Sequence, residues 1–304
     1  MNAQNQRPWA FQDLVKVTVR AVSALVYPPS CVVCAARLPL ATIMKVTDSP
    51  HIVPMCVCHA CLPPHFHQFA HVAQFDENCF PCRVCGELSF DNQTSDSLLC
   101  LSCDIDPLPF RTLGSVWFLS RETRNLISAL KYRGQLSIAN YFGVQLAHLV
   151  QQSNDMGVLP YDCIVAVPSG TQTLRQRGYS HTALIASALG KHINLPVKLL
   201  GLNATGSRPR QTGLLLRERR QNIHNAFYAS ASHVAGRNIL LVDDVVTSGS
   251  SLLEATNTLL NSGAKNVSAV TLARSRHFRR YRLVLAQQKL RARKSRHQSS
   301  WLQT

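Results

Sequence analysis

No apolar run in this sequence is long enough to cross a bilayer. The stretch from Trp9 to Val26 is apolar in places, but Asp13, Lys16 and Arg20 interrupt it. No basic segment leads into an unbroken apolar core, so a secretory leader is not expected. The expectation is a soluble, cytoplasmic protein with no membrane partner. Proline and glycine together make up only 29 of 304 residues, while hydrophobic residues reach 46%, which excludes collagen-like or wholly disordered chains. Acids are scarce, 16 against 32 lysines and arginines, and the deficit is uneven. Residues 1–110 carry a net charge of −3 and residues 111–304 a net charge of +19. Between Arg274 and Arg296 there are ten cations and no acid. Such an imbalance favours a polyanionic partner or substrate. Two phosphate motifs are also missing: Gly-x-x-x-x-Gly-Lys-Ser/Thr, and Gly-x-Gly-x-x-Gly after a strand.

Cysteine is nearly absent from the last two-thirds of the chain, where Cys163 stands alone, yet ten of the eleven lie before residue 104. Eight of them form four Cys-x-x-Cys pairs: Cys31/Cys34, Cys58/Cys61, Cys82/Cys85 and Cys100/Cys103. Without an export signal, these are metal ligands rather than disulfides. Two residues between thiolates let one tight turn present both sulfurs to one ion, and two such turns complete a tetrahedral site suited to Zn2+. Fourteen residues separate the last two pairs, close to a zinc-ribbon spacing, and 23 separate the first two. Gly86 follows Cys85, where a knuckle turn benefits from positive φ. Cys56 and Cys79 blur the register and His59 could replace a sulfur, so the sharing of ligands stays open at this stage. His65, His67 and His71 read as surface residues. A set of reduced cysteines without metal is the weaker reading, because four such pairs rarely arise by accident.

The chain's texture divides it into an N-terminal helix over residues 1–30, a cysteine-rich zinc-binding module over 31–106, an α/β domain over 107–275 and a basic tail over 276–304 that is expected to be loosely ordered. Leu126, Ile127 and Leu130 have helical spacing, and a second helix runs from Leu136 to Val150. The run Cys163 to Val167 reads as a buried strand, Tyr179 to Leu189 as a helix, and Ile239 to Val242 as a second buried strand. A helix follows from about Ser251 to Asn261, capped by Gly263, and Val267 to Leu272 is a third strand. Strands alternating with helices imply a mostly parallel sheet flanked by helices.

The most informative segment is Ile239-Leu-Leu-Val-Asp-Asp-Val-Val-Thr-Ser-Gly-Ser-Ser251. A buried strand ends in two carboxylates, then a hydroxyl- and glycine-rich turn opens a helix. Such a helix N-terminus offers backbone N–H groups and a positive dipole end to an anion. Gly249 lets the backbone approach closely, while Thr247, Ser248, Ser250 and Ser251 supply hydroxyls, so the turn suits a phosphate monoester. Asp243 and Asp244 would repel that phosphate. The vicinal hydroxyls of a ribose fit them better, since a carboxylate accepts two such bonds well. An ordinary turn with acidic decoration is the weaker reading, because acids at the end of a buried strand need a reason.

This segment resembles the 5-phosphoribosyl-1-pyrophosphate (PRPP) loop of type I phosphoribosyltransferases. The resemblance implies that Val167-Pro-Ser-Gly-Thr-Gln-Thr-Leu-Arg-Gln-Arg-Gly-Tyr179 is the loop that receives pyrophosphate, with Arg175, Arg177 and Gly178 as its working residues. It implies too that Arg208 to Arg220, with five arginines and one acid, is the mobile hood, while Lys131 adds a cation. A cysteine-pair module, then Leu130-Lys-Tyr-Arg-Gly134, Arg-Gly-Tyr, Gln211 to Phe227 and the PRPP loop together resemble the ComF family from about Cys31 to Arg274. The fold implied is a type I phosphoribosyltransferase-like domain preceded by a double zinc ribbon. The role implied is in natural transformation or the use of imported DNA, alongside DNA-uptake helicase-type proteins.

Two functional readings remain. In one, the site binds PRPP or a related phosphoribosyl ligand, and the zinc module with Arg274 to Arg296 grips single-stranded DNA or a partner. Arg279-Arg-Tyr-Arg282 mixes cations with a stacking ring, as single-strand binders do. In the other, the chain is a phosphoribosyltransferase. Asp243 and Asp244 would then sit near an oxocarbenium-like charge, with Mg2+, Arg175 and Arg177 neutralising the leaving pyrophosphate. No residue pattern specifies the nitrogen acceptor.

Overall fold

A computed structural model describes residues 30–38, 57–63, 80–89, 99–155, 160–205, 226–276, 278 and 282–289. The expected N-terminal helix, Cys56, Cys79, the three histidines between residues 65 and 71, and the arginine-rich hood lie outside the described residues. The chain divides into two units, Met1–Leu62 and Pro63–Thr304, and the division falls between the second and third cysteine pairs.

The described part of the first unit is built around Cys31, Cys34, Cys58 and Cys61. Cys31 N donates to Ala36 O and Ala35 N to Cys31 O, both at 2.7 Å, closing a tight knuckle with Ala35 at φ 62°. A single 3-10 turn over His59–Cys61 presents the other two sulfurs.

The second unit opens with the same device. Strands β1 (Phe80–Pro81) and β2 (Leu88–Ser89) pair antiparallel around the Cys82–Cys85 turn. Cys82 N donates to Glu87 O, and Gly86 N to Cys82 O, again at 2.7 Å, with Gly86 at φ 65°. Helix α1 (Leu101–Ile105) follows, with Cys100 at its N-cap. The main sheet comes next, in the order β3 (Leu113–Phe118), β8 (Asn266–Arg274), β7 (Asn238–Val246), β4 (Cys163–Ala166), and every pairing is parallel. The sequence reading of a parallel sheet flanked by helices is therefore what the chain forms.

Helices α2 (Arg121–Tyr132), α3 (Ile138–Asp155) and α5 (His181–Ile193) connect the strands, with the short α4 (Thr171–Arg177) before α5. Ser120 caps α2 by accepting from Thr123 N at 3.2 Å, and Leu126, Ile127 and Leu130 form its buried stripe. Helices α3 and α5 pack on each other and on the sheet. At their crossing a Cβ on Gly143 would sit 2.6 Å from the Ala188 Cβ, so only glycine permits this approach. The small hairpin β5 (Leu202–Ala204) and β6 (Phe227–Ala229), the short α6 (Ala231–Val234) and helix α7 (Ser250–Asn261) complete the body. One sheet face, with Ile239, Leu241, Val267 and Ala269, shares a continuous core with Leu252, Ala255 and Leu259 of α7. Side chains alternate along a strand, so Leu240 and Val242 belong to the opposite face.

Two features depart from the sequence reading. Cys82, Cys85, Cys100 and Cys103 belong to that same core cluster, packed with the sheet. The tail expected to be loosely ordered includes a helix, α8, over residues 282–289. Arg282 lies within it and is only 4% exposed, so it does not present its charge outward as the single-strand reading required.

Candidate functional site

Strand β7 is longer than its apolar run, and its last residues carry Asp243 and Asp244 at the C-terminal edge of the sheet. This is the edge at which parallel α/β sheets bind ligands. Both carboxylates are buried. Asp243 Oδ1 accepts from Asp244 N at 2.8 Å. Asp244 Oδ2 pairs with Lys131 Nζ from the end of α2 and lies 3.7 Å from His181 Nε2 at the start of α5.

These surroundings drive the two acids apart. Burial, then the charge of Asp244, pushes the Asp243 carboxyl well above the ordinary aspartate range. Burial also opposes ionisation of Asp244, but the hydrogen bond from His181 and the charge of Lys131 outweigh it and hold that carboxyl below its usual value. Asp243 is therefore the member of the pair that keeps its proton to higher pH, while Asp244 ionises more readily beside Lys131.

After β7, Thr247 is exposed, Ser248 is half-buried, and Gly249 takes φ 80° as the N-cap of α7. Ser248 Oγ lies 2.9 Å from Ser250 Oγ and accepts from Ser250 N at 3.4 Å, while the N-cap Gly249 has no side chain to cap the helix. The N-terminus of this helix opens onto the turn that carries Thr247 to Ser251.

Of the residues assigned to pyrophosphate, Arg175 is exposed on α4 and Gly178 ends that helix at φ 77°. Arg177 donates to His181 Nδ1 at 3.2 Å and lies 4.5 Å from the centre of the Tyr132 ring. A guanidinium can only donate, so Nδ1 of a neutral imidazole must accept, which places the ring proton on Nε2, facing Asp244. The Tyr179 hydroxyl donates to Leu130 O, tying the end of α4 to the end of α2. The fold thus gathers Lys131, Arg177, Asp244 and His181 at one sheet edge. Sequence reasoning missed His181. Its position four residues after Arg177 was the only signal that could have placed it beside this cluster.

The eight paired cysteines form two quartets, Cys31/Cys34/Cys58/Cys61 and Cys82/Cys85/Cys100/Cys103, whose sulfurs all lie within 4.8 Å of one another in each group. Sulfur pairs stand 3.7 Å apart for Cys34 and Cys58 and 3.6 Å apart for Cys85 and Cys100. A tetrahedral ion with bonds of about 2.3 Å needs sulfurs about 3.8 Å apart, so both quartets fit a thiolate-bound metal. His59 is exposed and belongs to neither quartet. Burial raises the Cys31 thiol, but N–H groups of Cys58, Cys34 and Val33 outweigh it and bring its pKa down to about 6. The second quartet is buried throughout, whereas Cys34 of the first is exposed.

Residues 176–283 match the phosphoribosyl transferase domain family. Over 183 residues the chain is 29% identical to the DNA utilization protein YhgH of Escherichia coli strain K12, covering 60% of this chain and 80% of that one. Over 203 residues it is 28% identical to the competence protein ComFC of Bacillus subtilis, covering 64% and 78%. A solved structure of the allosteric regulatory enzyme of purine biosynthesis aligns with 45% of this chain and 25% of its own, at 19% identity and a TM-score of 0.32.

Proposed function

On the premise that the chain is a member of the ComF family, we propose that it binds PRPP or a related phosphoribosyl ligand at the edge of β7 and serves the use of imported DNA. The observation that carries the reading is the buried carboxylate pair placed just before a glycine turn that opens a helix at a glycine N-cap. The turn from Thr247 to Ser251 takes the 5′-phosphate. A ribose diol lies against the pair, where Asp244, the more readily ionised carboxylate, can accept two hydrogen bonds. Arg175 and Arg177 face the diphosphate, and Gly178 gives the backbone room. Mg2+ accompanies the diphosphate of the ligand. Zn2+ fills both quartets. The names of the relatives point to DNA utilization and competence, and the net charge of +16 suits a nucleic-acid partner such as single-stranded DNA.

Isothermal calorimetry with PRPP and Mg2+ tests the site. The unmodified chain gives a binding heat, and the double variant Asp243→Asn with Asp244→Asn loses it. An unchanged heat removes the assignment. Metal analysis of the purified chain returns about two zinc ions when both four-sulfur sites fill. Pyrophosphate release from PRPP with any member of a nucleobase panel would extend the binding reading to a transferase.

A further inference from the structure

Three residues spaced four apart, Arg274, Phe278 and Arg282, run from the end of β8 into α8, and each grips a different part of the molecule. Arg274, 3% exposed, donates through Nη2 to the carbonyl of Cys85 and through Nη1 to Glu87 Oε2 at 3.3 Å. It therefore holds the knuckle that supplies Cys82 and Cys85. Arg282 donates to Asp106 Oδ2 at 2.7 Å, to Ser102 O at 3.3 Å and to Asp106 O. It therefore holds the last turn of α1, which supplies Cys103 and follows Cys100. Lys289 adds a second cation to Asp106.

Phe278, 2% exposed, stands between these anchors. The Arg274 guanidinium lies 5.2 Å from its ring centre. Its Cε2 sits 3.0 Å from where a Cβ on Gly249 would be, so the ring backs the turn that opens α7. The same segment is pinned there by Ser275 N, which donates to Val246 O at 2.9 Å. The ring thus joins the buried cysteine quartet to the anion turn through one contiguous set of contacts.

We propose that Arg274 and Phe278 are positioning residues that couple the second cysteine quartet to the phosphate turn, so that a metal in that quartet and a phosphoribosyl ligand each stabilise the binding of the other. The proposal rests on the phosphoribosyl reading above. Without metal, four clustered thiols lose their common centre, the knuckle and α1 loosen, and the two arginines lose fixed acceptors. Phe278 then no longer holds Gly249 at the left-handed φ that the turn requires. Linkage makes the effect reciprocal, since a ligand that fixes the turn must also fix the quartet. All of these contacts lie within the second unit.

The test follows zinc transfer from the full chain to a chromogenic chelator, with and without saturating PRPP and Mg2+. The fast phase is assigned to the exposed first quartet by its loss in Cys34→Ser. PRPP is expected to slow the remaining phase at least about fivefold, the lower end of ordinary coupling, and to leave the fast phase unchanged. Phe278→Ala is expected to keep two zinc ions, lose this protection and bind PRPP about fivefold more weakly. Phe278→Leu keeps apolar bulk against Gly249 but gives up the stack on Arg274, and is expected to retain part of the protection. It decides the matter where Phe278→Ala does not fold, because full protection in that variant overturns the role of the ring. A slow phase indifferent to PRPP in the unmodified chain, with calorimetry showing that PRPP binds, overturns the coupling and leaves the phosphoribosyl reading standing. No PRPP heat in the unmodified chain removes both.

Discussion

Asp243 and Asp244 have the same chemistry and adjacent positions, yet their environments shift them in opposite directions. The consequence for pH follows from linkage. The pKa of Asp243 is raised above the ordinary value of 3.8, so between those two values the folded chain holds a proton that the unfolded chain has released. Its contribution to stability is therefore full below the unfolded value and is lost as pH rises through the folded one. Asp244 is shifted the other way, so its contribution is present above the ordinary value and is lost only in acid. Asp243→Asn keeps an oxygen for the N–H of Asp244 and cannot ionise. Thermal unfolding of this variant is expected to gain Tm relative to the parent as pH rises above the ordinary aspartate value of 3.8. Curves that stay parallel as pH rises would overturn the upward shift of Asp243. Both acids were legible in the sequence, because carboxylates at the end of an apolar strand before a glycine turn are an unusual pattern. His181 was not, since its partners Arg177 and Asp244 come from two elements that only the folded sheet brings together.

At the scale of elements, the sequence is readable where one requirement governs a segment and unreadable where several compete. Strand β7 has an unbroken apolar start, and α7 has Leu252, Ala255 and Leu259 on one stripe, so both were evident. Strand β3 was missed because Leu113-Gly-Ser-Val-Trp-Phe118 includes two residues chosen by packing rather than strand propensity. A Cβ on Gly114 would lie 3.0 Å from Leu149 Cδ2, and Ser115 is buried against Thr271 with their hydroxyls 2.7 Å apart. Helix α4 read as loop because it buries no residue and therefore has no apolar stripe. Gly249 was legible as a site glycine, but the structure adds a second reason for it. Its φ of 80° is strained for any residue with a Cβ, and Phe278 occupies the space that the added atom would need. Gly249→Ala is therefore expected to destabilise the chain by about 1–3 kcal/mol in denaturant melts and to abolish PRPP binding. A variant as stable as the parent would show that the turn is not held in the left-handed conformation.

Across the whole molecule the excess of positive charge is the clearest clue to a polyanionic partner, and the fold sorts that charge into two kinds. Arg274 and Arg282 are buried and committed to the second cysteine quartet and its neighbours, so they are structural cations. A deletion beginning after Arg274 would remove Phe278, Arg282 and Lys289 together, and any loss of DNA binding would then report a damaged fold. Truncation after Lys289 leaves those contacts intact while removing Arg291, Arg293, Lys294 and Arg296. The dependence of single-stranded affinity on salt measures how many cations meet phosphates, at about 0.7 per contact in the slope of log K against log salt. If all four of these residues contact the strand, the slope of the truncated chain is shallower by about three. Its melting temperature and zinc content are expected to match those of the full chain. A slope unchanged by the truncation would assign the strand to other cations.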